Sequence, residues 1–546
     1  MITRRQMVAG LAGLSTLPKL LHAAPQARPR VETRHGIVEG VRADGIDVFR
    51  GMPYGAPTGG ANRFMPPAPP APWTGVRSAD RYGNRAPQTP VNPPPPERPQ
   101  PTYNLASAMR VSEPESEDCL VLNVWSPSVS DGRRRPVMVW IHAGGFGVGS
   151  GGAPHTDGAA LARLGDVVVV SLNHRLGVLG YAYLGDIDAG MRDKANVGQL
   201  DQVAALEWVR DNIAAFGGDP NDVTLFGQSG GGAKICTLMA MPAARGLFHK
   251  AICQSGSYIE ATSPELATRA MRAVMQDLGV SALAGLRQVT HAQLISAQHR
   301  VARGAQFRGF DPTLDGVSLP FHPFSPEAVA LSSGVPLMIG STRLEASRLA
   351  RDADVFTLTW DKLPAKWVEG FMRNDRSDRG TISLEEAART IGAFRAAYPN
   401  ENASRIYLRA ASNLWTIFDA VNIADAQSSG GKAPVWLYEL GYETPVDGGR
   451  WGSPHGLDVP LVFGNMKAAA SMVPDDAASR AVSRQMSGAW LAFAKTGNPN
   501  GSGRLAWPRY DARTRPAMVF DVESRVEQDY RAVDRRILAG KPTLRW

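Results

Sequence analysis

The chain predicts an α/β fold, with a large and mainly parallel central sheet covered by helices on both faces. Two observations carry that expectation. Short apolar runs recur without polar alternation, as strands buried on both faces require, and segments of helical period fall between them. Strand and helix patterns therefore alternate along the chain instead of segregating into blocks, which is the order of an α/β protein. In sequence order, strands are expected at 137–141 (Val-Met-Val-Trp-Ile), 167–172 (Val-Val-Val-Val-Ser-Leu) and 223–226 (Val-Thr-Leu-Phe). Two more follow at 336–339 (Pro-Leu-Met-Ile) and 435–440 (Val-Trp-Leu-Tyr-Glu-Leu). An amphipathic helix is expected at 200–216, between the second and third strands. The 546 residues could nominally make several domains. Sheets of this class absorb such lengths through loop insertions, so residues 25–546 are expected to form one domain.

Composition narrows the function classes. The chain is 43% hydrophobic and 20% charged, the balance of a soluble enzyme with a large core. Its formal charge of +8 comes from scattered Lys and Arg, apart from Arg133-Arg-Arg135 in an expected surface loop, so it reads as a solvated surface and not as a nucleic-acid or anionic-membrane footprint. Three cysteines, Cys119, Cys236 and Cys253, are too few for a disulfide framework and lack metal-ligand spacing. Cys236 reads as a small core residue. At the N-terminus, Thr3-Arg-Arg-Gln-Met-Val8 precedes a modest apolar stretch at 7–17, then Pro18-Lys19 and a small-residue site near His22-Ala-Ala-Pro25. Residues 1–24 resemble a twin-arginine export signal, which implies a periplasmic or secreted bacterial protein; an ordinary Sec signal is the alternative. The apolar run is too short to anchor the chain in a bilayer.

Chemistry enters at Val223-Thr-Leu-Phe-Gly227-Gln-Ser229-Gly-Gly231, an apolar run ending in G-x-S-x-G and followed by the helix-compatible Ala233-Lys-Ile-Cys-Thr-Leu-Met-Ala-Met. A strand, a sharp glycine turn and a helix would hold the Ser229 hydroxyl at the sheet edge as a nucleophile. The plain alternative is a serine that caps the helix. Hydrolases with this turn place an acid and then a histidine downstream. The strand at 336–339 runs into a polar loop carrying Glu345, and of the later histidines only His455 lies beyond it, in the Pro/Gly-bounded loop Gly452-Ser-Pro-His455-Gly-Leu-Asp458. Upstream, the strand at 137–141 breaks into His142-Ala-Gly-Gly145. Positions without side chains there let the N–H groups of Gly144 and Gly145 approach a developing alkoxide, with the N–H of Gly230 as a third donor.

Further motifs run nearly the whole length: Phe49-Arg-Gly-Met-Pro-Tyr54, Glu117-Asp-Cys-Leu-Val-Leu-Asn123, Asn173-His-Arg175, Asn196-Val-Gly-Gln-Leu-Asp-Gln202, Phe216-Gly-Gly-Asp-Pro220 and Gln254-Ser-Gly256. In this order they resemble the type-B carboxylesterase family of α/β-hydrolases, which includes p-nitrobenzyl esterases and cholinesterases. The resemblance implies the α/β-hydrolase fold and a small-molecule ester substrate, with no metal or organic cofactor. It also implies Ser229 as nucleophile, Glu345 as acid, His455 as base, and Gly144, Gly145 and Gly230 as oxyanion donors. Ser255 is implied as a hydrogen-bonding partner of the acid and the histidine, with a plain turn serine as the alternative.

The chain departs from the family pattern at several places. Gln228 and Gly230 replace the usual Glu and Ala of the elbow, Ala143 stands for the first of three glycines, and Leu344 and Ala346 flank Glu345 where Asp and Gly are usual. None of these deletes a catalytic group. Ala86 falls where relatives often carry a cysteine bridged to the one at Cys119, so that bridge is expected to be missing. The proline-rich stretch at 90–103 holds no Trp and only Tyr103, unlike the aromatic platform of cholinesterases. Trp140, Phe146 and the aromatics at 415–418 are candidates to line an acyl or alcohol pocket, or else core. The rival functions are carbamate or amide hydrolysis on the same triad, and a non-catalytic cholinesterase-like binding protein, which the intact triad disfavours.

Overall fold

The computed structural model describes residues 28–89, 104–302, 310–349, 353–373, 382–501 and 505–541. The export-signal segment at 1–24 and the proline-rich stretch at 90–103 lie outside the described residues.

Strands in chain order are β1 (Arg30–Thr33), β2 (Gly36–Glu39), β3 (Val41–Ala43), β4 (Ile46–Pro53), β5 (Val76–Ser78), β6 (Val121–Ser126) and β7 (Arg135–Ile141). They continue as β8 (Val168–Leu172), β9 (Gly218–Gln228), β10 (Lys250–Gln254), β11 (Leu337–Thr342), β12 (Val435–Leu440), β13 (Ala517–Phe520) and β14 (Arg525–Glu527). Eleven of them form one sheet in the order β14-β13-β12-β11-β10-β9-β7-β8-β6-β4-β3, while β1, β2 and β5 make a small separate one. From β13 through β8 every neighbouring pair is parallel. Both margins are antiparallel, with β14 on β13 at one side and β6, β4 and β3 on the other.

All five expected strands are present, and the expected helix forms as Val197–Asn212 followed by a 3-10 turn, Ile213–Phe216, stopped by Gly217 at φ 80°. The antiparallel margin is harder to read from local pattern. β4 (Ile-Asp-Val-Phe-Arg-Gly-Met-Pro) carries turn-forming residues and pairs with β6 across a register shift between Phe49 and Met52, so its partner decides its state.

The sheet separates two cores. Val137, Val139 and Ile141 of β7 join Val168 and Val170 of β8, Leu225 of β9 and Leu337 of β11 on one face, beneath the helices Val197–Asn212, Gly230–Met239 and Phe418–Gly430. Met138 and Trp140 join Val169, Phe226, Met338 and Trp436 on the other, beneath Asp458–Phe463 and Ala477–Thr496. Consecutive residues thus go to opposite cores, which explains why these strands read as unbroken apolar runs. At roughly 1.5–3 kcal/mol per fully buried large apolar side chain, both faces contribute. Of the two alternatives for Trp140, the core one fits: it is buried and packed at 4.9 Å on the Phe226 ring and 5.0 Å on Phe463.

Arg135 also departs from expectation. It opens β7, is 3% exposed, and is paired with Asp131 and Asp166, so it is not part of a solvated surface loop. A guanidinium can be buried there because both sides of its fork meet a carboxylate. Cys119, Cys236 and Cys253 are buried free thiols, and Ala86 shares the core cluster of Cys119 without bridging it. Among the described residues no helix is long and apolar enough to cross a membrane.

Candidate active site

The singled-out residues gather at the carboxyl ends of adjacent parallel strands, where open α/β sheets bind ligands. Ser229 follows β9, Glu345 lies three residues after β11, His455 lies beyond β12, and the glycine strap follows β7.

Ser229 sits between β9 and the helix Gly230–Met239 with φ 56° and ψ −125°, a conformation that costs a non-glycine residue strain. The surroundings hold it there. A Cβ at Gly227 would come within 2.8 Å of both the Gly231 backbone and the Ile141 carbonyl, so only glycine permits so sharp a return from strand to helix. The Ser229 N–H donates to the Gln254 carbonyl at 2.7 Å, tying the turn to β10. Its side chain makes no capping hydrogen bond to the helix, which removes the plain alternative of a helix cap.

Glu345 and His455 are fully buried. One Glu345 oxygen accepts the Thr342 N–H at 2.7 Å, and the other pairs with His455 Nδ1. A carboxylate on Nδ1 keeps the ring proton there and leaves a lone pair on Nε2. That nitrogen lies 3.1 Å from the Gln228 side-chain amide. Gln228, in place of the usual family Glu, thus touches the imidazole without adding a second negative charge. The Trp415 ring lies 4.8 Å from the imidazole, centroid to centroid, on a π-helical turn Asn413–Ile417. Burial pushes His455 below the usual histidine range, and the Glu345 charge partly offsets that.

Two other carboxylates in the vicinity have different commitments. Glu439 is held down to about 2 by Arg531 and Arg343, which outweigh its burial. Asp458 is pushed up to about 7 by burial and accepts from Gln254 at 2.8 Å and Tyr438 at 3.2 Å.

The strap is shaped by glycine. Gly144 has φ 105° and Gly145 has φ 61°, and among the described residues neither N–H has an acceptor. Gly230 is the first residue of its helix, where an N–H has no partner within the helix. A Cβ on Gly230 would run into the backbone of Gly145, and one on Gly231 into the Ile141 carbonyl. The Gly230 departure from the usual alanine is therefore matched by a strap that lies directly on the first helical turn.

For Ser255, the N–H donates to the Gly340 carbonyl at 2.8 Å, and among the described residues its buried hydroxyl makes no hydrogen bond, while Thr342 and His455 engage the two Glu345 oxygens. Phe146 is nearly buried against Tyr181 and Tyr258, with ring centroids at 5.1 and 5.4 Å. Sequence reasoning also passed over Lys234. A single charged residue in the otherwise uncharged Ala233-Lys-Ile-Cys-Thr-Leu-Met segment was the available signal.

The profile of the carboxylesterase family matches residues 27–537. The chain belongs to the carboxylesterase family. It is 36% identical over 510 residues to the para-nitrobenzyl esterase of Bacillus subtilis (strain 168), covering 91% of this chain and 96% of that one. It is 34% identical over 497 residues to the phenmedipham hydrolase of Pseudarthrobacter oxydans, covering 89% and 93%. Among solved structures, the Geobacillus stearothermophilus carboxylesterase EST55 at pH 6.2 superposes with a TM-score of 0.78 at 35% identity, over 93% of this chain and all of that one. This carboxylesterase therefore has the α/β-hydrolase fold and the chemistry of a carboxylic-ester hydrolase acting on small esters.

Proposed function

We propose that this carboxylesterase works through an acyl-enzyme on Ser229, with His455 as base, Glu345 as the acid that orients it, and Gly144, Gly145 and Gly230 as oxyanion donors. The observation that carries the reading is the strained elbow, which leaves the Ser229 hydroxyl free of capping duty beside Gln228, itself in contact with a buried His455–Glu345 pair. His455 Nε2 takes the serine proton as Oγ attacks the ester carbonyl carbon, and the strap N–H groups receive the negative charge on the carbonyl oxygen. When the C–O bond to the alcohol breaks, the imidazolium returns the proton to the leaving oxygen. Water then repeats the sequence on the acyl-enzyme and releases the acid. Glu345 orients the imidazole and stabilises its protonated form without itself taking the proton.

A fluorophosphonate tests the assignment, because it phosphonylates an activated serine. One label per chain, on the peptide containing Ser229, with complete loss of esterase activity is expected. Full inactivation with the label on any other peptide rejects Ser229.

The N-terminal segment leads to a second proposal, that the enzyme folds before export and leaves by the twin-arginine route. Arg4-Arg5 before a weak apolar stretch, with Lys19 near the cleavage region, is the supporting pattern, and a protein with three buried free thiols gains nothing from oxidative folding outside. Replacing Arg4 and Arg5 together by Lys keeps the charge and removes the guanidinium pair. Active enzyme should then accumulate in the cytoplasm, and unchanged export of that variant would reject this route.

A further inference from the structure

Lys234 lies on the helix Gly230–Met239, fully buried, and among the described residues it forms no ion pair. Its Nζ donates to the His142 carbonyl at 3.1 Å and lies 5.9 Å from the centroid of the Phe146 ring. An uncompensated buried ammonium is costly, and an apolar side chain of similar length would avoid that cost. The position of this one is therefore informative. His142 is the residue from which the glycine strap departs, and the strap rests on the first turn of the helix that carries Lys234.

We propose that Lys234 is a positioning residue for the reaction: its ammonium tethers the His142 carbonyl to the Ser229 helix, aligning the Gly144 and Gly145 N–H groups, and sets a positive charge behind the developing oxyanion. This rests on the oxyanion role proposed for the strap.

The surroundings leave that charge unmatched. The His142 and His174 rings are stacked at 4.7 Å, and each Nδ1 is bonded to a backbone carbonyl, Ala143 at 2.8 Å and Arg175 at 2.9 Å. Burial first, and the Lys234 charge second, push His142 down to about 3 and His174 well below its usual range, so neither becomes charged near neutral pH. Arg175, the next cation, is paired with Asp201. On the far side, the Gln199 amide donates to the Lys234 main-chain carbonyl at 3.0 Å and brings no charge. Lys234 itself is pushed down by burial to about 7, against an ordinary value near 10.4.

The sign follows directly. The competent enzyme needs His455 neutral and Lys234 protonated, so kcat/KM falls on the acid side through His455 and on the alkaline side through Lys234. The alkaline limb should lie in the neutral range.

The test compares the wild-type enzyme with Lys234→Met and Lys234→Gln, using a chromogenic ester and a trifluoromethyl ketone, which forms a hemiketal oxyanion. Lys234→Met should lower kcat by roughly tenfold or more while KM stays within about twofold, since the lost interaction forms mainly in the transition state. Trifluoromethyl ketone affinity should fall in parallel with kcat. Lys234→Gln keeps a donor for the His142 carbonyl without a charge and should recover part of kcat. Neither variant should show the alkaline limb. If both retain the wild-type limb, or if ketone affinity is unchanged, the proposal is wrong. Should neither variant fold, the wild-type profile decides: a flat response from pH 6 to 9 overturns the proposal, and a limb in that range supports it. Fluorophosphonate labelling of wild-type enzyme away from Ser229 would instead reject the underlying site, so the two failures are distinguishable.

Discussion

Ser229→Ala should lose about five to six orders of magnitude in kcat while folding normally. On the proposed acyl-enzyme mechanism the elbow motif offers no other hydroxyl or thiol, and removing such a serine in other hydrolases costs on the order of 10⁶-fold, with the residual rate coming from substrate binding and oxyanion donors. The fold should be unaffected, because the Ser229 side chain does not cap its helix and alanine is no more strained than serine at φ 56°. Ester turnover by the purified variant, together with its melting temperature, measures both. A variant with more than about a hundredth of wild-type kcat would mean that another group attacks the ester.

Glu345→Gln should lose roughly 10³- to 10⁴-fold in kcat, through the imidazole. The Gln amide oxygen can still accept the Thr342 N–H, so the turn after β11 should persist. The charge that stabilises protonated His455, and the acceptor that keeps the ring proton on Nδ1, are both lost. A distinctive shift in pH dependence follows. The Coulombic and hydrogen-bonding effects of Glu345 raise the His455 pKa against the lowering by burial, so their removal should move the acid limb of kcat/KM to lower pH even as the plateau drops. An unmoved acid limb, or near-normal activity, would assign the acid to another carboxylate. Glu439 is poorly placed for that because Arg343 and Arg531 hold it, which leaves Asp458.

The candidate site was legible because elbow, acid loop and histidine loop each carry local signatures: glycine where a turn must be sharp, and apolar runs where a strand must be buried on both faces. Gly227 illustrates this, since its neighbours leave no room for a Cβ and the requirement is visible in the motif itself. Partnership is not local. Nothing within the Gln254-Ser-Gly256 motif says that the Ser255 hydroxyl makes no hydrogen bond among the described residues, and nothing within Arg133-Arg-Arg135 says that Asp131 and Asp166 pair with the buried third arginine.

By itself the sequence determined the α/β class, the five parallel strands it named, the family, and the positions and order of the candidate nucleophile, acid and base, because periodicity and turn chemistry are properties of neighbouring residues. Tertiary structure alone decided the antiparallel margin, the placement of Gln228 against His455, and the burial of Lys234 beneath the strap. Those depend on which surfaces meet across the sheet and on how far burial removes a charge from water, and neither distance nor dielectric environment is written in the order of residues.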